Sequence, residues 1–316
     1  MELKSCKKTT DINKICNEKT GRNVFITGKI GKKILLQKML LRKKVKTPST
    51  KSPKISKAYK DVNKTSFQGS TLNIMAGLLY LMYRHNNACV VIPYNKKHIP
   101  TTTDDFTCNG IKYNNTDYNG VKSIEHTPSF WNNFKRCYSD KSSRFIIFHL
   151  TIYFNDTNLA HSNYMIYDKD NKSLERFDPN GTAIKVSKKI DSNIKYLFNK
   201  KMGGPAFILK YYKPEFEYFQ YIQHNENEFL EGDPGGFCGA WSIWYMDIRL
   251  TNPDFEPNDL IKMSIIKITK NFTSFTTFIR NFSNFIYEVG YLLQNRKRIS
   301  IKKIIELLTT RNIIII

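Results

Sequence analysis

The chain has 316 residues, enough to bury one large core, and sets 50 Lys/Arg against 27 Asp/Glu for a formal net charge of +23. No apolar run reaches the roughly 20 residues that a membrane-spanning helix needs, which excludes a transmembrane-helix reading. Among Cys6, Cys16, Cys89, Cys108, Cys137 and Cys238 there is no Cys-x-x-Cys pair and no zinc-like His/Cys spacing, so a metal site is not expected.

The charge is uneven: the first 64 residues carry 19 Lys/Arg against four Asp/Glu. Residues 1–64 therefore read as a basic, flexible N-terminal extension. Its densest part, 38–54, resembles a linker that would attract DNA or another polyanion by counterion release. A competing origin is coding bias, since Lys outnumbers Arg 39 to 11 in a chain also rich in Asn and Ile. No apolar signal follows Met1-Glu2-Leu3-Lys4, so the expected compartment is reducing and not secretory, with free cysteines.

Beyond the extension, residues 71–83 are apolar nearly all round and predict a buried helix. A short strand is expected at 88–92, a polar, turn-rich rim at 93–119, and a short helix at 129–138. Strands follow at 144–154, 161–167 and 173–178, the last two joined by the polar Asp168-Lys169-Asp170-Asn171-Lys172 as a hairpin. A helix at 187–199, a strand region at 206–223, a helix over 241–250, and two or three helices within 259–316 complete the pattern. Ile313-Ile314-Ile315-Ile316 is too short to span a membrane and is expected to tuck against the core or pair with a strand. No internal repeat is found. Residues 65–316 thus form one α+β domain, with strands flanked by helices.

The loop Gly232-Asp233-Pro234-Gly235-Gly236-Phe237-Cys238-Gly239-Ala240-Trp241 places one cysteine between a glycine-rich turn and an apolar helix. Unpaired N–H groups at a helix start stabilise a thiolate, and flanking glycines admit a substrate backbone, so Cys238 reads as a nucleophile. The plainer alternative is a buried cysteine at an ordinary loop-to-helix junction. A nucleophile needs a base and a group to orient it. His85, His98, His126 and His224 lie in polar, loop-like surroundings, and His149 reads as a satisfied core histidine. His161 opens a hairpin strand, and Asp178 closes its partner 17 positions later, before Pro179-Asn180-Gly181. Antiparallel pairing makes these two neighbours, so the carboxylate can hold one ring nitrogen and leave the other for the thiol.

In order and spacing, these residues resemble the adenain and SUMO-protease clan of cysteine peptidases. The wording His-x-Asn, then Glu-Arg-Phe-Asp-Pro-x-Gly, then Gly-Gly-Phe-Cys-x-Ala-Trp is closest to thiol proteases of large DNA viruses. Mimivirus-like members come first, with the poxvirus core protease and the asfarvirus polyprotein protease more distant. The motif blocks cover His161 to Gly181 and Phe219 to Pro253, and a weaker match runs from about Ser66 onward. There are two departures. Ser162 replaces the aromatic residue that follows the histidine in many clan members, so ring packing around His161 must come from elsewhere. The oxyanion glutamine, usually a handful of residues before the cysteine, is missing there. Gln223, 15 positions upstream, is the first choice, Gln220 the second, and Asn225 and Asn227 remain open.

The resemblance implies a papain-like, adenain-like α+β fold, a mixed sheet flanked by helices with the nucleophile at a helix N-terminus. It implies a thiol protease in which Cys238 attacks, His161 relays the proton, Asp178 orients His161 and Gln223 stabilises the oxyanion, with no metal or organic cofactor. Cleavage is expected after small residues, in Gly-Gly-x or Ala-Gly-x sequences of viral core or structural precursors. The expected location is the host cytoplasm or viral factory and the virion interior, where the extension would hold the enzyme on DNA. The chain's own Gly203-Gly204 is followed by Pro205, which should block cleavage there. The alternatives are a ubiquitin- or SUMO-like deconjugating peptidase and an inactive, basic nucleic-acid-binding structural protein.

Overall fold

The computed structural model describes residues 14–17, 22–25, 56–57, 71–93, 110–114, 124–154, 160–183, 189–226, 236–271, 274–294 and 314–315. In chain order its strands are β1 (Lys14–Asn17), β2 (Arg22–Phe25), β3 (Ser56–Lys57), β4 (Ala88–Val90), β5 (Gly110–Asn114), β6 (Ile124–His126), β7 (Phe145–Tyr153), β8 (Ala160–Asp168), β9 (Ser173–Phe177), β10 (Lys210–Tyr212) and β11 (Ile314–Ile315). The helices are α1 (Thr71–Arg84), α2 (Phe130–Ser139), α3 (Lys189–Met202), α4 (Phe219–His224), α5 (Cys238–Thr251), α6 (Pro257–Asn271) and α7 (Phe275–Gln294). Seven strands form one mixed sheet in the order β10-β9-β8-β7-β5-β6, with β4 also beside β7. Strand β7 runs antiparallel to β8. On its other edge it pairs in parallel with β4, where Ala88 faces Phe145, and then with β5, where Gly110 faces His149.

Both faces of β7 are covered, which is why apolar residues run along it broken only by His149 and Thr151. Phe145 and Ile147, with Tyr164 and Ile166 of β8, join the core built with α1, α5, α6 and α7. Ile146, Phe148, Leu150 and Ile152, with Met165 and Tyr167, join a second core under α2 and α3. The α+β class, with a mixed sheet flanked by helices, is thus observed. Helix α5 is the central element of the first core and is buried from Gly239 to Leu250. A Cβ at Gly77 of α1 would lie 2.2 Å from Ile243 Cδ1, so α1 and α5 touch at a point where only glycine fits.

The β8–β9 hairpin forms where the sequence predicts it, with Tyr164 opposite Phe177 and Asp168 opposite Ser173. Its turn is held by Asp168, whose Oδ1 accepts the Asp170 N–H at 3.0 Å and whose Oδ2 accepts Asn171 Nδ2 at 2.8 Å. Arg144 pairs with the same carboxylate from β7's N-terminal side, Nη2 to Oδ2 at 2.8 Å.

Other expectations are corrected. The strand region at 206–223 contains only the three residues of β10, followed by helix α4. Phe219 and Ile222, three apart, both reach the core, and the Phe219 ring stacks on Trp241 at 5.2 Å, so tertiary packing overrides the β preference of an aromatic-rich run. The rim at 93–119 holds a strand that was missed, β5, whose Ile111 and Tyr113 are buried around exposed Lys112. Ile314–Ile315 does pair with a strand, antiparallel to Ser56–Lys57, and that strand lies against α5 and α7. Part of the stretch expected as an extension therefore touches the domain, and β1 pairs with β2 within the same stretch. The basic segment 38–54 lies outside the described residues. The cysteines are not all free: Cys89 and Cys137, 48 positions apart, form a disulfide, because β4 and α2 bring their Cα atoms within 5.4 Å. Among the described residues no helix is long and apolar enough to cross a membrane.

Candidate active site

Cys238 is the first residue of α5, and Phe237 before it offers no side-chain cap to the helix N–H groups. The backbone N–H groups of Gly239, at the start of the helix, and of Ser162, on β8, instead stabilise a thiolate at Cys238. His161 is the second residue of β8, beyond the last pair with β9, and Asp178 directly follows β9. Period-two alternation puts Arg176 and Asp178 on the sheet face that carries His161 and Asn163.

His161 Nε2–H donates to Asp178 Oδ1 at 2.8 Å, and the imidazole also bonds the Cys238 sulfur, for which Nδ1 is the remaining ring atom. Burial disfavours the imidazolium, but Asp178 and Cys238 more than offset it and raise the His161 pKa from 6.5 to about 10. Burial likewise pushes the Cys238 thiol up, yet its hydrogen bond and charge interaction with His161, and the two N–H groups, bring it below 9.0. Burial also opposes ionisation of Asp178, and His161, Arg176 and the Asn180 N–H reverse this, leaving the carboxyl below the usual range. A thiolate–imidazolium pair backed by a buried carboxylate is the state these shifts favour.

Two networks hold the three residues in place, and the sequence reading did not single out either. On the His161 face, Arg176 donates from Nη1 to Asp178 Oδ2 at 3.5 Å and to Asn163 Oδ1 at 3.1 Å, while its Nε reaches Asp191 Oδ1 of α3 at 2.7 Å. On the opposite face, Glu175 accepts from Arg249 Nε at 3.0 Å and from the Tyr245 hydroxyl, and Phe177 stacks on Tyr245 at 3.9 Å. The helix that starts with Cys238 is thereby anchored to the strand that Asp178 directly follows. The alternation in Glu175-Arg176-Phe177-Asp178 was the available signal.

Ser162, in place of the aromatic, points to the other side, where its hydroxyl pairs with His149 Nε2 at 2.8 Å. Burial lowers the His149 pKa to about 4, so this ring is neutral and satisfied, as the sequence predicts. The ring that approaches His161 is Phe154, its centroid 6.5 Å away. His85 departs from expectation. It is buried just after α1 and lies 2.6 Å from Asp247 Oδ1 of α5, which also accepts from Arg84 Nε at 2.7 Å, so a hydrogen-bond cluster with Tyr80 ties the two helices.

The turn after Asp178 places the glutamines. Gly181 has φ +65°, and a Cβ there would lie 1.9 Å from the Phe216 carbonyl oxygen, so the backbone can close only on glycine. The Gln220 N–H then donates to the Pro179 carbonyl at 2.9 Å, tying α4 to the acid's turn. Gln223 is fully buried and its Oε1 accepts Trp241 Nε1–H at 2.9 Å. The Gln220 amide lies elsewhere: a Cβ on Gly236, two residues before Cys238, would be 3.0 Å from its Nε2. Gln220 is thus beside the loop that leads to Cys238, while Gln223 has its Oε1 engaged by Trp241 and its Nε2 buried without a hydrogen-bond partner. Asn225 Nδ2 donates to the Tyr221 carbonyl at 2.7 Å, and Asn227 lies outside the described residues. Among the described residues no group of His, Cys, Asp and Glu has metal-binding geometry.

No family model matches the chain. A protein of Acanthamoeba polyphaga mimivirus is 26% identical over 279 residues, 81% of this chain. Its name describes an ankyrin repeat protein and not a protease, which corrects the expectation that viral relatives would be thiol proteases, and the chain spans only 36% of its length. Among solved structures, ChlaDub1 from Chlamydia trachomatis is similar over 75% of this chain and 96% of its own, at 9% identity and a TM-score of 0.40. A Chlamydia trachomatis effector, Cdu1 bound to ubiquitin, is similar over 75% of this chain and 96% of its own, at 9% identity and a TM-score of 0.36. The C-terminal Ulp1 protease domain, in complex with the yeast SUMO ortholog Smt3, is similar over 80% of this chain and 94% of its own, at 11% identity and a TM-score of 0.28.

Proposed function

We propose that the chain is a cysteine peptidase with Cys238 as nucleophile, His161 as general base and acid, and Asp178 as the orienting carboxylate. The observation that carries this reading is the bond from His161 Nε2 to buried Asp178 at 2.8 Å, while the same ring bonds the sulfur at the start of α5. The thiolate attacks the carbonyl carbon, and His161 gives its proton to the leaving amine as the C–N bond breaks. Water, deprotonated by His161, then hydrolyses the thioester. The Cys238 N–H and the Gln220 amide, in place of Gln223, are the donors for the oxyanion. Two substrate classes suit a site flanked by glycines: precursor proteins cut after Gly-Gly or Ala-Gly, and conjugates of ubiquitin-like modifiers. Similarity to a mimivirus protein supports a large-virus setting, and a viral factory or virion location is part of the same proposal.

The test is to incubate wild-type protein and Cys238→Ala, with and without DNA, with Gly-Gly-x and Ala-Gly-x peptides and with ubiquitin and SUMO carrying a C-terminal fluorogenic amide. Cuts after Gly that vanish in Cys238→Ala support the peptidase reading. A preference of several orders of magnitude for a whole modifier over its terminal peptide selects deconjugation. No cleavage of either class by the wild type overturns the reading and leaves the inactive, basic structural protein.

A further inference from the structure

Helix α4 presents a second imidazole to the site. His224 lies one helical turn after Gln220, on the same face, and its Nε2 is 3.5 Å from Gln220 Nε2. Its pKa is lowered by burial and by the charge on His161, which places it within electrostatic reach of the thiolate–imidazolium pair. The Gln220 carboxamide occupies the space beside Gly236, and its Oε1 is buried without a hydrogen-bond partner. Nothing at the oxygen end therefore fixes which way the amide faces. A carboxamide turned over would present a carbonyl oxygen where a donor is required, and that oxygen would repel a developing oxyanion. The group that distinguishes the two orientations is His224. A neutral ring with its proton on Nδ1 offers Nε2 as an acceptor, which only the NH2 end of Gln220 can satisfy.

We propose that His224 is a positioning residue for the oxyanion donor: it accepts a hydrogen bond from Gln220 Nε2 and keeps the carboxamide nitrogen toward the turn that leads to Cys238. One N–H of the amide is then held by His224, and the second is left for the substrate oxygen. The bond is long without substrate, as such contacts are in unliganded sites, and tightens when the carbonyl arrives. This inference rests on the peptidase reading above.

The experiment compares wild type, His224→Leu, His224→Gln, Gln220→Ala and the Gln220→Ala/His224→Leu double variant. Two rates are measured: kcat and KM on a Gly-Gly amide substrate, and alkylation of Cys238 by iodoacetamide, a displacement that forms no oxyanion. Loss of an oxyanion donor costs about 10²- to 10³-fold in kcat, so Gln220→Ala is expected in that range. His224→Leu should lose about tenfold or more in kcat, with KM and the alkylation rate within about twofold of wild type. His224→Gln, whose Oε1 can also accept, should recover most of the loss. The double variant should be no worse than Gln220→Ala alone, because both changes remove one function. The proposal is overturned if His224→Leu keeps full kcat, if alkylation falls in parallel with hydrolysis, or if the His224→Leu penalty persists undiminished in the Gln220→Ala background. If His224→Leu melts early, His224→Met serves as the second apolar variant under the same criteria. A wild type that cleaves nothing overturns the peptidase reading itself, and this inference with it.

Discussion

Replacing Asp178 with Asn keeps the shape of the side chain and removes one charge, so its consequences follow from distances in the site. At 2.8 Å from the imidazole, the carboxylate attracts a protonated ring by about 6 kcal/mol at an effective dielectric near 20. The rise of the His161 pKa from 6.5 to about 10 corresponds to about 5 kcal/mol, so losing the carboxylate removes a stabilisation as large as the whole shift. Burial is then opposed only by Cys238, and Arg176, whose Nη1 lies 3.5 Å from Asp178 Oδ2, adds a repelling charge. His161 should become neutral at pH 7 and Cys238 should lose its cationic partner. The signs run in opposite directions. A raised His161 pKa keeps the ring charged up to about pH 10, and a lowered Cys238 pKa brings the onset of the thiolate below pH 9.0, so the ion pair spans the interval from that onset to about pH 10. Alkylation of Cys238 by iodoacetamide, followed by mass spectrometry from about pH 5 to about pH 10, reads this directly. Wild type should react on a plateau through neutral pH and decline only on the acid side. Asp178→Asn should show one limb rising near pH 9, with a rate at pH 7 about 10- to 100-fold lower, since a thiol of pKa about 9 is roughly 1% ionised there. Peptide hydrolysis should fall further, by about 10³- to 10⁴-fold, because the tautomer is lost as well. Superimposable alkylation profiles for the two proteins would refute the assignment of Asp178 as the source of the ion pair.

Three further outcomes are expected. Gly77→Ala should destabilise the protein by about 1–3 kcal/mol in chemical denaturation, because the added Cβ would meet Ile243 Cδ1 at 2.2 Å, and Ile243→Ala in the same chain should recover part of the loss. Gly181→Ala should lower hydrolysis more than it lowers the melting temperature of the α1–α5 core, since the clash with the Phe216 carbonyl sits in the turn joining Asp178 to Gln220. An unchanged kcat would show that this turn does not govern the site. Glu226→Ala should cost about 1–2 kcal/mol, because its carboxylate caps α7 by accepting the N–H groups of Phe275 and Thr276 at 3.0 Å each, and hydrogen exchange should rise first at those amides.

What could be read in advance depended on short-range pattern. The hairpin at 160–177 announced itself through alternation and an Asp/Asn turn, and once it forms, antiparallel pairing makes His161 and Asp178 neighbours whatever else the chain does. Cys238 was legible for a similar reason: glycines and Pro234 end one segment immediately before a wholly apolar helix, and a helix start carries its own electrostatics. Strand β7 was legible at 144–154 as a strand-like apolar run, which with the hairpin and the flanking helices pointed to the α+β class.

The rest was decided where contacts are long in sequence. Residues 219–224 are rich in aromatic and β-branched side chains, and only the presence of Trp241 and α7 makes a helix the better way to bury Phe219 and Ile222. That helix, in turn, sends the Gln223 amide under Trp241 and leaves Gln220 beside Gly236, a choice that position in the chain could not make. Arg176 reaches Asp191 on α3, Glu175 reaches Arg249 on α5, and His85 meets Asp247 across 162 positions, each a buried polar group whose partner no local spacing encodes. Cys89 and Cys137 meet because parallel pairing of β4 with β7 brings the strand beneath α2. Periodicity and turn chemistry act over a few residues and by themselves marked most of the elements and the proposed nucleophile, base and acid. The placement of Gln220 and Gln223 and the charges that hold the site in place depend on how those elements pack, and only the tertiary structure decided them.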